Sequence, residues 1–323
     1  MKAIYVQNPG GAENLIYGDL PKPSPGPGQA LVRLAASGIN FIDIYFRTGL
    51  YKADAPITLG MEGAGTVASV GDGVTEVAAG DRVAYAMARG SYAEYAVVPA
   101  WQLVKVPAAV DFVSAAATML QGMTSHYLAY STFELKPGDT CLVHAAAGGV
   151  GLILTQLARN IGATVIGTAG SDAKLDLARE AGASHGINYS TQDFAEEVKR
   201  ITSGRGVDVV YDGVGAATFL KSLDCLRPRG TMVSFGNASG AVPAIQPLIL
   251  SQKGSLFLTR PTLANYAVDH VEIAWRAGDL FRWIAEGSLK LRIEHRYPLA
   301  GAARAHQDLE GRKTTGKLVL EIQ

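Results

Sequence analysis

The sequence predicts an α/β protein built from two architectures, a barrel-like β domain followed by a doubly wound parallel sheet. Three observations predict it. The first third carries short β-type runs broken by Gly/Pro segments. From Asp139 onward six strand-like runs alternate with helical ones. A glycine-rich stretch, HAAAGGVG at 144–151, stands between the first of those strands and its helix.

Bulk composition agrees with a folded two-domain chain. There are 323 residues, 48% hydrophobic and 18% charged, which supplies a sizeable core and excludes extensive disorder. Lysine plus arginine and aspartate plus glutamate balance at 29 each, so no cationic excess exists to neutralise a phosphate backbone, and no nucleic-acid partner is expected. The opening MKAIYVQNPGG holds too short an apolar run for a signal-peptide core, and no later run is long and apolar enough to span a bilayer. A cytoplasmic protein without a membrane partner is expected. Cys141 and Cys225, distant in sequence, are expected to be reduced and packed.

In chain order, KAIYV and QALVRLAASGI read as strands, joined by PKPSPGPGQ, which cannot be helical. A short helix follows near Phe41 to Arg47. GMEGAGTVASVGDGV, with its Asp72-Gly73 turn signal, DRVAYAM and SYAEYAVVPAWQLVKVP continue the β pattern. The alternating section then pairs TCLVHAA with VGLILTQLARNIG, where Val150, Leu154, Leu157 and Ile161 share a helical face and Gly162 ends the helix. ATVIGTA, HGINY, VDVVYDGV, TMVSFG and SLFLTR are the remaining strands. From about Ala264 the alternation stops. A long helix around Val271 to Ile284, then LKLRIEHRYPL, a short helix and the strand GKLVLEI are expected to return to the first domain. The expected division is 1–119, 120–263 and 264–323.

The glycine stretch follows a strand and opens an amphipathic helix, the context a dinucleotide-binding turn requires. On the G-x-G-x-x-G pattern the positions are Ala146, Gly148 and Gly151. Gly148 lets the backbone approach a pyrophosphate, and Gly151 lets helix and strand pack closely. The helix N-terminus offers unpaired N–H groups to the phosphates. The next strand ends GTAGSDAK, without the acidic residue that accepts from an adenosine ribose. Asp172 lies one or two positions late and reads as a helix N-cap. With Lys174 close by and Ser171 able to donate, a 2′-phosphate fits better, so NADPH is the expected cofactor.

These features, in this order, resemble the medium-chain dehydrogenase/reductase superfamily over the whole chain, with a GroES-like catalytic domain, a Rossmann domain and a C-terminal return. Zinc enzymes of that superfamily carry a cysteine, a Gly-His-Glu segment and a four-cysteine lobe. Here Asn40 stands for the cysteine in SGINFID, Met61 stands for the histidine in GMEGAG, and the lobe is missing. No metal is expected, and His144 is expected to be a packed strand residue. GINFIDIYFRTGLY, AAAGGVG, DGVG, SFGNASG and SLFLTRPTL resemble the zinc-independent, ζ-crystallin-like quinone oxidoreductase branch.

The resemblance implies roles residue by residue. Asn40 and Thr124 lie near the nicotinamide, with Phe41, Asp43 and Tyr45 lining the same wall (Asp43 could instead cap the helix) and Tyr127 packing near the cofactor. Gly149 and Val150 meet the pyrophosphate, between Gly148 and Gly151 of the glycine pattern. Gly170, Ser171, Lys174 and Tyr189 form the 2′-phosphate corner. Val214, Phe235, Gly236 and Asn237 sit at later strand ends, Phe257 and Leu258 offer backbone to the carboxamide, and Arg260 and Lys317 contact phosphates or close the cleft. Relatives pair through the Rossmann edge strand, so a homodimer through SLFLTR is expected.

A metal-free reductase must orient the acceptor, polarise its carbonyl and finish with a proton. Asn40 can donate its amide to that carbonyl. Tyr45, Tyr51 or water can supply the proton, and the rings of Phe41, Tyr45 and Phe46 suit a flat apolar substrate. The expected function is NADPH-dependent quinone reduction. The alternatives are NADPH-dependent reduction of α,β-unsaturated carbonyls (enone, alkenal or enoyl thioester), or a non-catalytic NADPH-binding structural or RNA-binding protein, against which zero net charge counts.

Overall fold

The computed structural model describes residues 1–311 and 313–323. The chain divides into two compact units, 1–123 with 266–323, and 124–265. The boundaries expected at 119/120 and 263/264 therefore compare with 123/124 and 265/266.

The first unit begins with β1 (Lys2–Val6), β2 (Ile16–Asp19) and β3 (Gln29–Ile39), followed by helix α1 (Phe41–Thr48). β4 (Ile57–Thr58), β5 (Glu62–Val70), β6 (Arg82–Ala86), β7 (Tyr95–Pro99) and β8 (Val104–Lys105) follow, then helix α2 (Phe112–Tyr127), within which the division falls. β2 and β4 were not legible in the sequence, because β2 exposes most of its residues and β4 has only two. The core of this unit includes Ile4, Val32, Leu34, Val83, Tyr85 and Leu320.

The second unit contains β9 (Thr140–Val143), α3 (Gly149–Ile161), β10 (Thr164–Ala169), α4 (Asp172–Ala181), β11 (His185–Asn188) and α5 (Phe194–Ile201). It continues through β12 (Val207–Asp212), α6 (Phe219–Ser222), β13 (Leu226–Ser234), α7 (Leu248–Gln252) and β14 (Phe257–Thr259). All six strands pair in parallel, in the order β11-β10-β9-β12-β13-β14. The direction of winding reverses beside β9, the place where such sheets take ligands at their carboxyl ends. Gly162 ends α3 at φ +97°, as expected. The Asp172 expectation needs correction. Ser171 is the N-cap of α4, accepting from the Lys174 N–H at 3.4 Å, while Asp172 is the first helical residue and accepts from Asn188 Nδ2 at 2.9 Å.

The C-terminal segment completes the first unit with α8 (His270–Ala285), β15 (His295–Pro298), α9 (Ala302–Glu310) and β16 (Leu318–Glu321). β16 runs antiparallel to β3, with Leu318 opposite Ile39. β5 flanks β3 as well, with Gly63 opposite Ser37. Those two registers bring Lys317 and Glu62 to the end of β3, immediately before α1.

Candidate functional site

In the first unit the site forms where β3 runs into α1. Gly38 has no side chain, and a Cβ there would collide with Glu62 Oε1 and with Lys317 Cε. The missing Cβ is what allows carboxylate and ammonium to meet over the strand. Lys317 is 4% exposed and Glu62 fully buried. The Lys317 ammonium donates to Ile39 O at 3.1 Å, to Asn40 Oδ1 at 2.7 Å and to Glu62 Oε1. Glu62 Oε2 accepts the Leu120 N–H at 2.5 Å. Burial lowers the Lys317 pKa, opposed by Glu62. Three acceptors meet three N–H groups, which fits a charged ammonium. Lys317 therefore has no donor to spare, and the expectation that it contacts phosphate or closes a cleft gives way to this buried role.

Asn40 sits at the centre of the cluster. Its Nδ2 donates to Glu62 Oε1 at 2.7 Å, and its Oδ1 accepts from Lys317 and, at 3.3 Å, from Gln121 Nε2. Its backbone N–H donates to Asp43 Oδ2 at 2.8 Å, so Asp43 does cap the start of α1. The Asp43 carboxyl is fully buried, its Oδ1 has no partner among the described residues, and burial raises its pKa to about 7 against the pull of the Asn40 N–H and Lys317.

A directed chain leads from Asp43 to α9. Arg47 can only donate, so the 3.3 Å contact from its Nη1 makes His306 Nδ1 the acceptor. His306 Nε2 then carries the proton and donates to Tyr92 Oη at 3.1 Å, which leaves the Tyr92 hydroxyl to donate to Asp43 Oδ2 at 3.2 Å. Burial and the Arg47 charge hold the His306 pKa down at about 3, consistent with a neutral ring. Arg47 closes the chain on Glu310 through two bonds of 2.9 and 2.7 Å.

The aromatic residues of α1 gather with Tyr51, which follows the helix. Tyr45 and Tyr51 meet edge-on at 5.3 Å between centroids, Phe46 and Tyr51 at 5.7 Å, and Phe41 lies 6.4 Å from Tyr45. Tyr51 is 37% exposed and Tyr45 half-buried, so of the two proton-donor candidates Tyr51 is the more open to water.

Zinc does not fit this arrangement. Asn40 offers an amide already bonded at both ends, Met61 a buried thioether, and Glu62 a carboxylate paired with an ammonium. A cation already occupies the carboxylate, and neither neighbour is a nitrogen or thiolate ligand. Among the described residues no group of three or more His, Cys, Asp and Glu is placed to hold a metal. His144 binds Thr168 Oγ1 at 2.9 Å and Ser222 Oγ at 2.8 Å, so both its nitrogens are engaged in the core. Cys141 and Cys225 are buried free thiols, each with its pKa pushed up to about 12 by burial.

In the second unit the candidate residues cluster at the carboxyl ends of the strands. Helix α3 starts at Gly149 after Gly148, whose side of the N-terminus has no side-chain cap. The N–H groups of Gly149, Val150 and Gly151 precede the first helical hydrogen bond and point outward from the helix. A Cβ on Gly151 would collide with the carbonyl of Ala145 and come within 2.8 Å of Ala146 Cα. A pyrophosphate fits this uncapped terminus. Ser125 Oγ donates to Val150 O at 3.2 Å, which brings the last turn of α2, with the buried Thr124 and Tyr127, against the start of α3.

At the end of β10, a Cβ on Gly170 would lie 2.8 Å from the Tyr189 hydroxyl, and Ser190 Oγ donates to Gly170 O at 3.0 Å. Gly170, Ser171 and Tyr189 thus share one corner, with the Lys174 backbone bonded to its Ser171 cap. The Ser171 hydroxyl accepts as a cap and keeps its proton to donate. No carboxylate ends β10, so the corner fits a 2′-phosphate. Beyond β12 and β13, Gly213 and Gly236 touch backbone to backbone, a Cβ on Gly236 lying 2.5 Å from Gly213 O, and the residues on either side of Val214 meet the other loop, Gly213 facing the Phe235 ring and Gly215 facing Asn237. Phe257, 62% exposed, and Leu258, 38% exposed, stand on the edge strand, with Arg260 exposed just after it.

Several site components escaped the sequence reading, Gln121, Tyr92 and His306 among them, and two bear most on the site. Glu62 is visible in GMEGAG only as a neighbour of Met61, and its partner lies 255 positions away. Asp212 anchors the loop after β12, accepting from the N–H of Val214 at 2.7 Å and of Gly215 at 3.1 Å and from Thr218 Oγ1 at 2.8 Å. The DGVG motif held that signal, since an aspartate before a Gly-rich turn often accepts from the backbone two and three residues on.

Comparison with known proteins agrees with both units. A model of the alcohol dehydrogenase GroES-like domain matches residues 26–108, and one described as zinc-binding dehydrogenase matches 149–271. A quinone oxidoreductase of Pseudomonas aeruginosa is 49% identical over 321 residues, 99% of each chain. A 2-haloacrylate reductase of a Burkholderia species is 45% identical, covering 98% of each. The crystal structure of Escherichia coli quinone oxidoreductase complexed with NADPH superposes with a TM-score of 0.98 at 45% identity, covering 99% of this chain and 100% of that one. Family resemblance inferred from the motifs and end-to-end likeness to these proteins coincide, and the chain belongs to the quinone oxidoreductase branch of the medium-chain dehydrogenase/reductase superfamily.

Proposed function

We propose that this protein is an NADPH-dependent quinone reductase that works without a metal. The observation that carries the reading is the corner at the end of β10, where Tyr189 lies against Gly170, Ser171 caps α4 on the Lys174 N–H, and no strand-end carboxylate stands. It is joined by the end-to-end likeness to quinone oxidoreductases. When bound, NADPH supplies the hydride. Gly148 to Gly151 hold the pyrophosphate on the helix terminus, and Lys174 with Ser171 reads the 2′-phosphate. Asn40 donates its remaining amide N–H to the acceptor oxygen, where negative charge grows. Reduction of a quinone yields an aromatic hydroquinone anion that needs little acid catalysis, and Tyr51, Tyr45 or water delivers the last proton.

A second reading, reduction of an α,β-unsaturated carbonyl, is favoured by the Burkholderia relative, whose name states that it reduces a 2-haloacrylate. Steady-state turnover of a benzoquinone against a panel of enones and alkenals, with NADPH and NADH in parallel, tests both. The quinone with NADPH is expected to give the highest kcat/KM. Higher values for an enone would transfer the assignment to the second reading, and preference for NADH would overturn the cofactor.

The same proposal includes a cytoplasmic setting and a homodimer. No helix among the described residues is long and apolar enough to cross a membrane. β14 is an edge strand with Phe257 and Leu258 exposed, and two-fold pairing would cover it. A monomer in sedimentation at micromolar concentration would refute the dimer.

A further inference from the structure

The amide of Asn40 is held at both ends by opposite charges. Its oxygen accepts from the Lys317 ammonium and from Gln121, which fills both lone pairs. Its nitrogen gives one hydrogen to the Glu62 carboxylate and keeps one. The flipped amide would set its NH2 group against an ammonium and its oxygen against a carboxylate. Two charge-assisted bonds would become two repulsive contacts. Charge, not shape, therefore decides which way this side chain faces.

Neither charged group is placed to meet a substrate itself. Glu62 is fully buried and Lys317 is 4% exposed. Ile39 O, Asn40 Oδ1 and the carboxylate take the whole ammonium, and the Leu120 N–H takes the other carboxylate oxygen. The pair also sits in space that only a glycine at position 38 leaves open.

We propose that Lys317 and Glu62 are positioning residues that make Asn40 a donor-only amide. The site then offers one N–H and no acceptor. It favours a substrate that brings a bare acceptor oxygen, a quinone or carbonyl oxygen, over one that brings a hydroxyl needing an acceptor. For a quinone reductase this discriminates the oxidised substrate from its hydroquinone product. The inference rests on the proposed placement of Asn40 beside the reacting oxygen.

The test uses the full-length protein and the double variant Lys317→Met/Glu62→Gln, which removes both charges together. The glutamine introduced by the second substitution can accept from Asn40 or donate to it, so either amide orientation becomes possible. With a benzoquinone, kcat should fall at least about tenfold while the NADPH dissociation constant stays within about twofold. Inhibition by the matching hydroquinone should strengthen. A folded double variant with kcat and hydroquinone inhibition unchanged would overturn the proposal. A second measurement needs no turnover: the 15N-edited NMR spectrum of the side-chain amides, with the Asn40 pair identified by its loss in Asn40→Ala. In the unsubstituted protein one of the two protons should be shifted downfield and protected from exchange by its carboxylate partner. Two equivalent, unprotected protons would overturn the orientation. If the protein reduced no quinone yet showed this signature, the proposed reaction would fail and the donor-only amide would stand.

Discussion

The loop that opens α3 and the cluster around Asn40 are built in opposite ways. The loop uses consecutive residues and backbone N–H groups, and its main requirement is the absence of side chains at Gly148 and Gly151. The Asn40 cluster uses side chains from the cap of α1, the start of β5, α2 and the residue before β16, and places an ammonium and a carboxylate where water does not reach. A backbone site needs only a local conformation that glycine permits. A buried charge needs a partner, and that partner can come from any segment that strand pairing brings alongside. The first kind of site is therefore robust to distant change, and the second is not.

Substituting one partner in the Asn40 cluster breaks that comparison open. Lys317→Met leaves the Glu62 carboxylate buried and uncompensated, so it should cost about 3–5 kcal/mol of folding stability. Urea unfolding measures it, and a loss below about 1 kcal/mol would show that the pair is not held as described. Asn40→Ala comes next. It should cost on the order of 3 kcal/mol of transition-state stabilisation, roughly a hundredfold in kcat for a quinone. It should weaken NADPH less. An unchanged kcat would remove Asn40 from the catalytic residues, and a large loss of melting temperature alone would leave it a purely structural one.

On the other side of the comparison, Lys174→Ala should weaken NADPH by roughly 1.5–3 kcal/mol, about tenfold to a hundredfold in affinity, and leave NADH untouched. Equal losses for both cofactors would show that Lys174 does not read the 2′-phosphate.

A pH series sharpens the picture of the buried network. With its pKa held up at about 7, Asp43 keeps its proton in the folded state to higher pH than in the unfolded chain. Its contribution to stability is present below the ordinary aspartate pKa, about 4, and is lost as pH rises towards 7. His306, held at about 3, acts in the opposite sense, with stability lost as pH falls below its unfolded pKa of about 6.5. In Asp43→Asn only the first contribution disappears. Its stability relative to the unsubstituted protein should climb by up to about 1.4 kcal/mol per pH unit between roughly pH 4 and 7. A flat difference would mean that Asp43 titrates normally. The smallest expected effect is none at all. A chelator should leave turnover unchanged and elemental analysis should find no stoichiometric zinc, because Lys317 already neutralises the Glu62 carboxylate.

Much of the fold was legible because its signals are local. KAIYV and QALVRLAASGI form strands with the boundaries read from them, and the six alternating strands pair in the order of a doubly wound sheet. The cap of α4 moved by one residue, from Asp172 to Ser171, since either side chain can cap and only the chain path chooses. The corner of Gly170, Ser171 and Tyr189 needed only one register, that of β11 on β10.

The sequence by itself determined the two architectures, the glycine loop, the strand end without a carboxylate and the replacement of two zinc-ligand positions by Asn40 and Met61. These depend on residue type and short spacing. Tertiary structure alone decided what Lys317 does. Position 317 reads as a cation near the end of the chain, suited to a phosphate. Pairing of β16 with β3 carries it to Asn40, and pairing of β5 with β3 carries Glu62 to meet it above Gly38. No local pattern encodes that encounter, because the register of three strands far apart in sequence sets which charges share one small buried volume.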